Sequence, residues 1–356
     1  MHSGVPTSVG PPTDRGGRTR YRAERSASAP VQPRDPPSAM PDSPVTGLHH
    51  VTAIVGPPQQ TVDVYAGLLG LRLVKQTVNF DDPGTYHLYF ADDGAVPGSF
   101  LTFFPWGEGA MRGRVGAPQA TATAYVAPVG ATELWLDRLA SHGPSTGVDF
   151  DAPAERFGET VLRLRDPDGL VLEIIETEDA EGGWQAGHIP MEAALGAFHS
   201  VTLETSRPED TMRVLTDALG YEEDREADGR VRFVNPKAER ARYVDVLRRA
   251  KQAGRMGAGT VHHVAFRVPD DEAELETREL LLQLGLRPTP QIDRQYFHSV
   301  YAREPGGVLF EIATDPPGFA VDEPADALGE RLMLPPQYEP MRDQIERRPP
   351  EITVPA

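Results

Sequence analysis

The chain has no cysteine among its 356 residues. Disulfides, thiolate nucleophiles and cysteine-ligated metals are therefore excluded, and any metal must rest on histidine nitrogen and carboxylate oxygen. No apolar run approaches the roughly 20 residues that a membrane-crossing helix needs. There is no phosphate-binding glycine loop, and no GxGxxG between a strand and a helix, so nucleotide cofactors find no support. Positive charge is scarce: 35 Lys and Arg stand against 53 Asp and Glu, a formal net charge of −18. That balance argues against nucleic acid and anionic membrane as partners and reads as a solvated cytoplasmic surface.

Hydrophobic residues make up 39% of the chain, in many short runs that suit a sizeable core in two domains or a repeated architecture. Residues 1–44 differ: rich in Pro, Ser and Gly with scattered arginines, they show no apolar periodicity and read as a disordered tail. Met40 just before the folded region is consistent with an over-extended translation start.

From residue 45 a unit recurs about every 60 to 75 residues. It opens with an alternating strand, continues through an amphipathic helix ending near a glycine, and closes with two or three strands. The four openings are LHHVTAIV, ATATAYVAP, FHSVTLET and VHHVAFRV. Gly70, Gly143, Gly220 and Gly285 stand where left-handed helix caps are expected, and DPDG and EPGG read as hairpin turns before the last strands of units two and four. These features predict an α+β protein of four βαβββ repeats paired into two open barrel-like domains. The expected domains are 45–180 (repeats one and two) and 195–318 (repeats three and four), followed by a C-terminal extension, 319–356.

Two of the opening strands carry adjacent histidines, His49-His50 and His262-His263. Strand side chains alternate between faces, so strict alternation lets one histidine of each pair face a cup. His49 would share its face with Val51, Ala53 and Val55, and His262 with Val264, Phe266 and Val268, which are apolar faces suited to packing under helices. His50 and His263 fall on the mixed faces and become the ligand candidates. The third is Glu311, an acid within the apolar strand VLFEIAT, where an uncompensated carboxylate would cost several kcal/mol. Two histidines and one carboxylate form the ligand set of a non-haem Fe(II) centre with open positions. Ser200 and Ala122 replace the histidines in units three and two, while Glu173 and Asp245 match Glu311. The inner units thus read as a vestigial half, with the working site between units one and four. His199 aligns with His49 and reads as structural.

The repeats and the ligand candidates together resemble the vicinal oxygen chelate superfamily, the glyoxalase and extradiol dioxygenase type of fold, over about residues 45 to 318. The runs LHHVT, YHLYFAD, TFFPW, VHHVAF and YAREPGGVLFE further resemble the hydroquinone-type ring-cleaving dioxygenases. That resemblance implies an Fe(II) enzyme, with Mn(II) as the alternative ion, that opens a small aromatic para-diol with O2. It places the metal ligands on His50, His263 and Glu311, and further site residues on His49, Thr52, His262, Arg294 and Tyr301. His298 ranks below Tyr301 as an acid or base. Phe103, Phe104 and Trp106 suit a core cluster first and a substrate wall second. Three readings stand beside the para-diol dioxygenase: a catechol-cleaving extradiol enzyme, a glyoxalase-like isomerase and a non-catalytic binding protein of the same superfamily. The isomerase would use a fourth protein ligand where this chain has Thr102. A homo-oligomer is compatible with all of them.

Overall fold

The computed structural model describes residues 42–180, 183–184, 188–348 and 350–355. Most of the expected tail, residues 1–41, lies outside them. Ser43 is the first buried residue among those described and lies against Gly220.

The first unit comprises β1 (Leu48–Val55), a helix that starts as α1 (Pro58–Val62) and widens to π-helical turns, then β2 (Arg72–Asn79), β3 (Asp82–Ala91) and β4 (Phe100–Pro105). The second has β5 (Gln119–Pro128), α2 (Ala131–Thr146), the short β6 (Asp149–Phe150) and β7 (Ala154–Arg156), then β8 (Glu159–Arg165) and β9 (Val171–Thr177). The third has β10 (Phe198–Glu204), α3 (Pro208–Asp217), β11 (Glu222–Ala227), β12 (Arg230–Val234) and β13 (Tyr243–Leu247). The fourth has β14 (Thr260–Val268), α4 (Asp271–Gln283), β15 (Ile292–Asp293), β16 (Phe297–Arg303) and β17 (Leu309–Pro317). Pro58 and Pro208 open their helices at the first turn, where a missing N–H costs nothing. The Asp270 side chain caps α4 by accepting from the Ala273 N–H. Gly70, Gly220 and Gly285 have the positive φ of left-handed caps. Gly143 does not: α2 runs on through Pro144, and Gly147, at φ 75°, ends it instead.

The expected division along the chain follows sequence order, but hydrogen bonding groups the units differently. One sheet of eight strands, ordered β15-β16-β17-β14-β1-β4-β3-β2, joins unit four to unit one through the antiparallel pair β1/β14. A second sheet, ordered β11-β12-β13-β10-β5-β9-β8-β6 with β7 on β8, joins units three and two through β10/β5. One apolar cluster threads all four units; it contains Val51 and Ala53 of β1, Val264 and Phe266 of β14, Trp135 of α2 and Leu215 of α3. Burial of each such Val, Leu or Phe contributes about 1.5–3 kcal/mol, and this shared core holds the opposite, concave face of each sheet open. No helix among the described residues is long and apolar enough to cross a membrane.

Residues after β17 run along the edge strand β2. Phe319 packs on Tyr89, Phe100 and Tyr296. The fully buried Lys75 ammonium meets Asp322 at 2.6 Å and Glu323 at 2.5 Å. Leu334 and Ile345 cluster with Val78. The edge that would otherwise offer unpaired backbone groups is thereby covered.

Candidate metal centre

Strict alternation fails at both histidine pairs, and the failure builds the site. Between Leu48 and His50, β1 has one residue more than β14, and between Thr52 and Ala53 the surplus passes to β14. His49 and His262 are the extra residues of two β-bulges. Leu48 and Val261 therefore stay in the core with Val51 and Val264, while both imidazoles of each pair turn to the concave side. The expectation that His49 and His262 pack under the helices is corrected: the His49 ring lies 5.2 Å from that of Phe297, and His262 lines the cleft.

On this face His50 Nε2 lies 3.1 Å from His263 Nε2 and 3.2 Å from Glu311 Oε2, and His263 Nε2 lies 2.8 Å from Glu311 Oε2. All three residues are buried. Behind them the geometry repeats: His50 Nδ1 meets His49 Nδ1 at 2.9 Å, and His263 Nδ1 meets His262 Nδ1 at 2.8 Å. A ligating imidazole keeps Nε2 bare, so each Nδ1–H donates to its neighbour's Nδ1, and the neighbour carries its proton on Nε2. Burial, then the His50 and His263 charges, hold the His49 and His262 pKa values low, that of His262 at about 3.

The three converging atoms are then all acceptors. Ser299 Oγ donates to Glu311 Oε1, but Oε2 is buried without a donor. In the metal-free protein burial would raise the Glu311 pKa, but protonated His50 and His263 outweigh it and hold the carboxyl well below its usual range; a bound cation would take the place of those protons. Separations of 2.8–3.2 Å match adjacent corners of an octahedron with bonds of about 2.1 Å. The donor set therefore fits a divalent cation with open positions. Thr102, in the fourth-ligand position, is already engaged by Thr52 Oγ1 at 2.7 Å and His87 Nε2 at 2.9 Å.

A cleft of about 400 Å³ opens in front of the triad. Phe80, Phe104, Trp106, Phe297 and Leu309 supply its apolar wall, the composition expected for a small aromatic ligand. Phe103 instead faces the core. Arg294, Tyr301 and His262 reach the cleft, whereas His49 and Thr52 stand behind it, the first bonded to His50 and the second to Thr102. Arg294 sits in the tight β15–β16 turn beside Gln295, whose φ of 70° is rare for a residue with a side chain. Its Nε donates to Tyr301 Oη at 3.2 Å. Burial, then Glu311, raises the Tyr301 pKa, so the phenol keeps its proton. His298 is held by Asp271 at 2.6 Å, away from the cleft. His87 and Tyr89, joined at 2.9 Å, also line it and were not singled out from sequence. The alternation in YHLYFA carries their signal, because Leu88 and Phe90 enter the core and His87 and Tyr89 must face the other way.

A larger hollow, about 930 Å³, lies on the inner sheet. There Glu173 stands where the outer sheet has Glu311, but it is bound by Arg156 at 2.6 Å and Arg163 at 2.8 Å. Asp245 is bound by Arg230 and Arg232. With Ser200 and Ala122 replacing the histidines and arginines neutralising the acids, no metal donor set remains among the described residues of the inner cup.

The family model described as "Glyoxalase/Bleomycin resistance protein/Dioxygenase superfamily" matches residues 47–174 and 197–312. The chain is 47% identical over 303 residues to MhqO of Bacillus subtilis (strain 168), provisionally named a ring-cleaving dioxygenase; the match covers 85% of this chain and 95% of that protein. It is 35% identical to the chlorohydroquinone/hydroquinone 1,2-dioxygenase of Sphingobium indicum, covering 85% and 95%. Among solved structures, a dioxygenase so assigned from Bacillus subtilis superposes with a TM-score of 0.84 at 45% identity, covering 88% of this chain and 99% of that one. Glyoxalase I from Zea mays, at 14% identity, 76% and 92% coverage and a TM-score of 0.55, shares the fold.

Proposed function

This chain belongs to the glyoxalase/bleomycin resistance protein/dioxygenase superfamily, and we propose that it is an Fe(II)-dependent ring-cleaving dioxygenase for a hydroquinone-type para-diol. The observation that carries this reading is the buried His50–His263–Glu311 triad, with an unpartnered Glu311 Oε2, opening onto an aromatic-walled cleft. Likeness to relatives named for ring cleavage, one of them for hydroquinones, supports the same substrate class.

When bound by the triad, iron supplies open positions for a phenolate and O2 and the one-electron chemistry between them. The protein contributes orientation and charge. His49 and His262 fix the ligand tautomers and aim both Nε2 atoms at one point. The wall of Phe104, Trp106 and Phe297 positions a flat ring and excludes water. Tyr301 accepts from Arg294, which leaves its own O–H to donate to an oxygen that gains negative charge in the cleft. The Arg294 guanidinium adds fixed positive charge 5.1 Å from the Tyr301 ring centre. His262, neutral at pH 7, presents Nε2–H as a further donor.

Anaerobic loading with Fe(II), followed by O2 uptake with a panel of hydroquinones and catechols, tests the assignment. Uptake with hydroquinones is expected. Absence of oxygen consumption with every diol would remove it.

A further inference from the structure

The outer sheet has an internal twofold relation that extends past the metal ligands. Across the β1/β14 pair, His50 corresponds to His263 and His49 to His262. One strand outward, Thr102 on β4 corresponds to Glu311 on β17, since Thr52 pairs with Thr102 and Ala265 with Glu311. One further strand outward, Tyr89 pairs with Thr102 on β3 and Tyr301 pairs with Glu311 on β16. Two residues before each phenol stand His87 and Ser299, and each bonds the side chain on the neighbouring strand: His87 Nε2 to Thr102 Oγ1, Ser299 Oγ to Glu311. The cup thus presents two phenols on opposed walls, one braced by Arg294 and one by His87.

The two phenols differ in their relation to the ligand set. Tyr301 lies directly across from the ligand Glu311, whereas Tyr89 lies across from Thr102, which is occupied by other hydrogen bonds. Tyr89 is carried two strands from β1, roughly 10 Å across the sheet, on the wall away from Glu311. Its hydroxyl bonds His87 Nδ1 at 2.9 Å, and in either tautomer of that imidazole the phenol has one hydrogen-bonding position left for the cleft. Edge contacts with Phe319 and Tyr296 hold the ring in place.

We infer that Tyr89, positioned by His87, binds the diol hydroxyl that lies far from the metal centre and so selects para- over ortho-diols. This rests on the ring-cleaving reading of the same site. A para-diol held at the triad by one oxygen carries its other oxygen at the opposite end of the ring, where the second phenol stands. An ortho-diol keeps both oxygens beside the metal and offers Tyr89 a C–H.

The test is equilibrium binding to the Fe(II)-loaded protein without O2, using hydroquinone, phenol and catechol as probes. Wild type is expected to prefer hydroquinone over phenol by about tenfold, the worth of one buried hydrogen bond. Tyr89→Phe should abolish that preference and leave catechol affinity within about twofold. His87→Gln, which keeps a hydrogen-bonding group toward Tyr89, should lose less of the preference than His87→Leu. With O2, the Tyr89→Phe loss should fall on KM for hydroquinone more than on kcat. Metal stoichiometry and melting temperature are measured on each variant. Equal weakening of all three probes, or an unchanged preference for hydroquinone, overturns the inference. Absence of O2 uptake by wild type strikes the enzymatic reading instead, while the anaerobic preference still decides the role of Tyr89.

Discussion

Glu311 is fully buried, and one of its oxygens has no donor. A carboxylate so placed needs positive charge beside it, from protonated imidazoles when the site is empty and from a cation when it is filled. Glu311→Gln should therefore lower Fe(II) stoichiometry sharply and abolish the rise in melting temperature that Fe(II) gives the wild type. Metal analysis beside thermal unfolding checks both halves. His49 makes no contact with the cleft, yet it sets the His50 tautomer. His49→Leu should weaken metal binding about 10- to 100-fold in a chelator competition, with little change in fold. Glu311 was legible from its out-of-place charge in VLFEIAT. His49 was assigned to the wrong face, because alternation cannot reveal a bulge whose extra residue is defined only by the partner strand.

At the scale of the element, the same bulges recur in the inner sheet, where His199 and Thr121 are the surplus residues of β10 and β5. Backbone architecture is thus shared by both sheets, and chemistry is decided by what each strand places on its concave face. On β8 and β9 that is an arginine–glutamate lattice. Burial would raise the Glu173 pKa, but Arg156 and Arg163 outweigh it and bring it to about 2. Because this carboxyl titrates lower folded than unfolded, its stabilisation is complete above the unfolded value near 4.5 and is lost as pH falls toward 2. Glu173→Gln should flatten that acid limb in urea unfolding measured across pH 2–5. At neutral pH it should cost about 3–5 kcal/mol, because two guanidinium groups lose their shared partner. Helix ends were mostly readable from glycine; α2 was not, since Pro144 was tolerated and Gly147 offered a second stop four residues later.

Across the whole molecule, the C-terminal extension binds the last unit to the first. Lys75 is anchored to Asp322 and Glu323, and Tyr338 donates to the Phe80 carbonyl beside the cleft. Lys75→Met leaves the buried Glu323 unpaired and is expected to destabilise the protein by about 3–5 kcal/mol. Hydrogen exchange in β2 should rise while metal stoichiometry holds, since the triad lies on other strands. Nothing in the composition of 319–356 announced this role. Its contacts join residues more than two hundred positions apart, and such pairings leave no periodic trace.

Local information determined the superfamily, the α+β class and the candidate metal ligands: repeat length, histidine pairs and a charged residue in an apolar strand are all properties of short segments. Tertiary structure decided which units share a sheet, which side of that sheet each imidazole faces, and that His87 and Tyr89 stand opposite Tyr301. Those outcomes depend on register between strands distant in sequence. One extra residue in a strand reverses the facing of everything beyond it, and only the paired strand shows that the residue is extra.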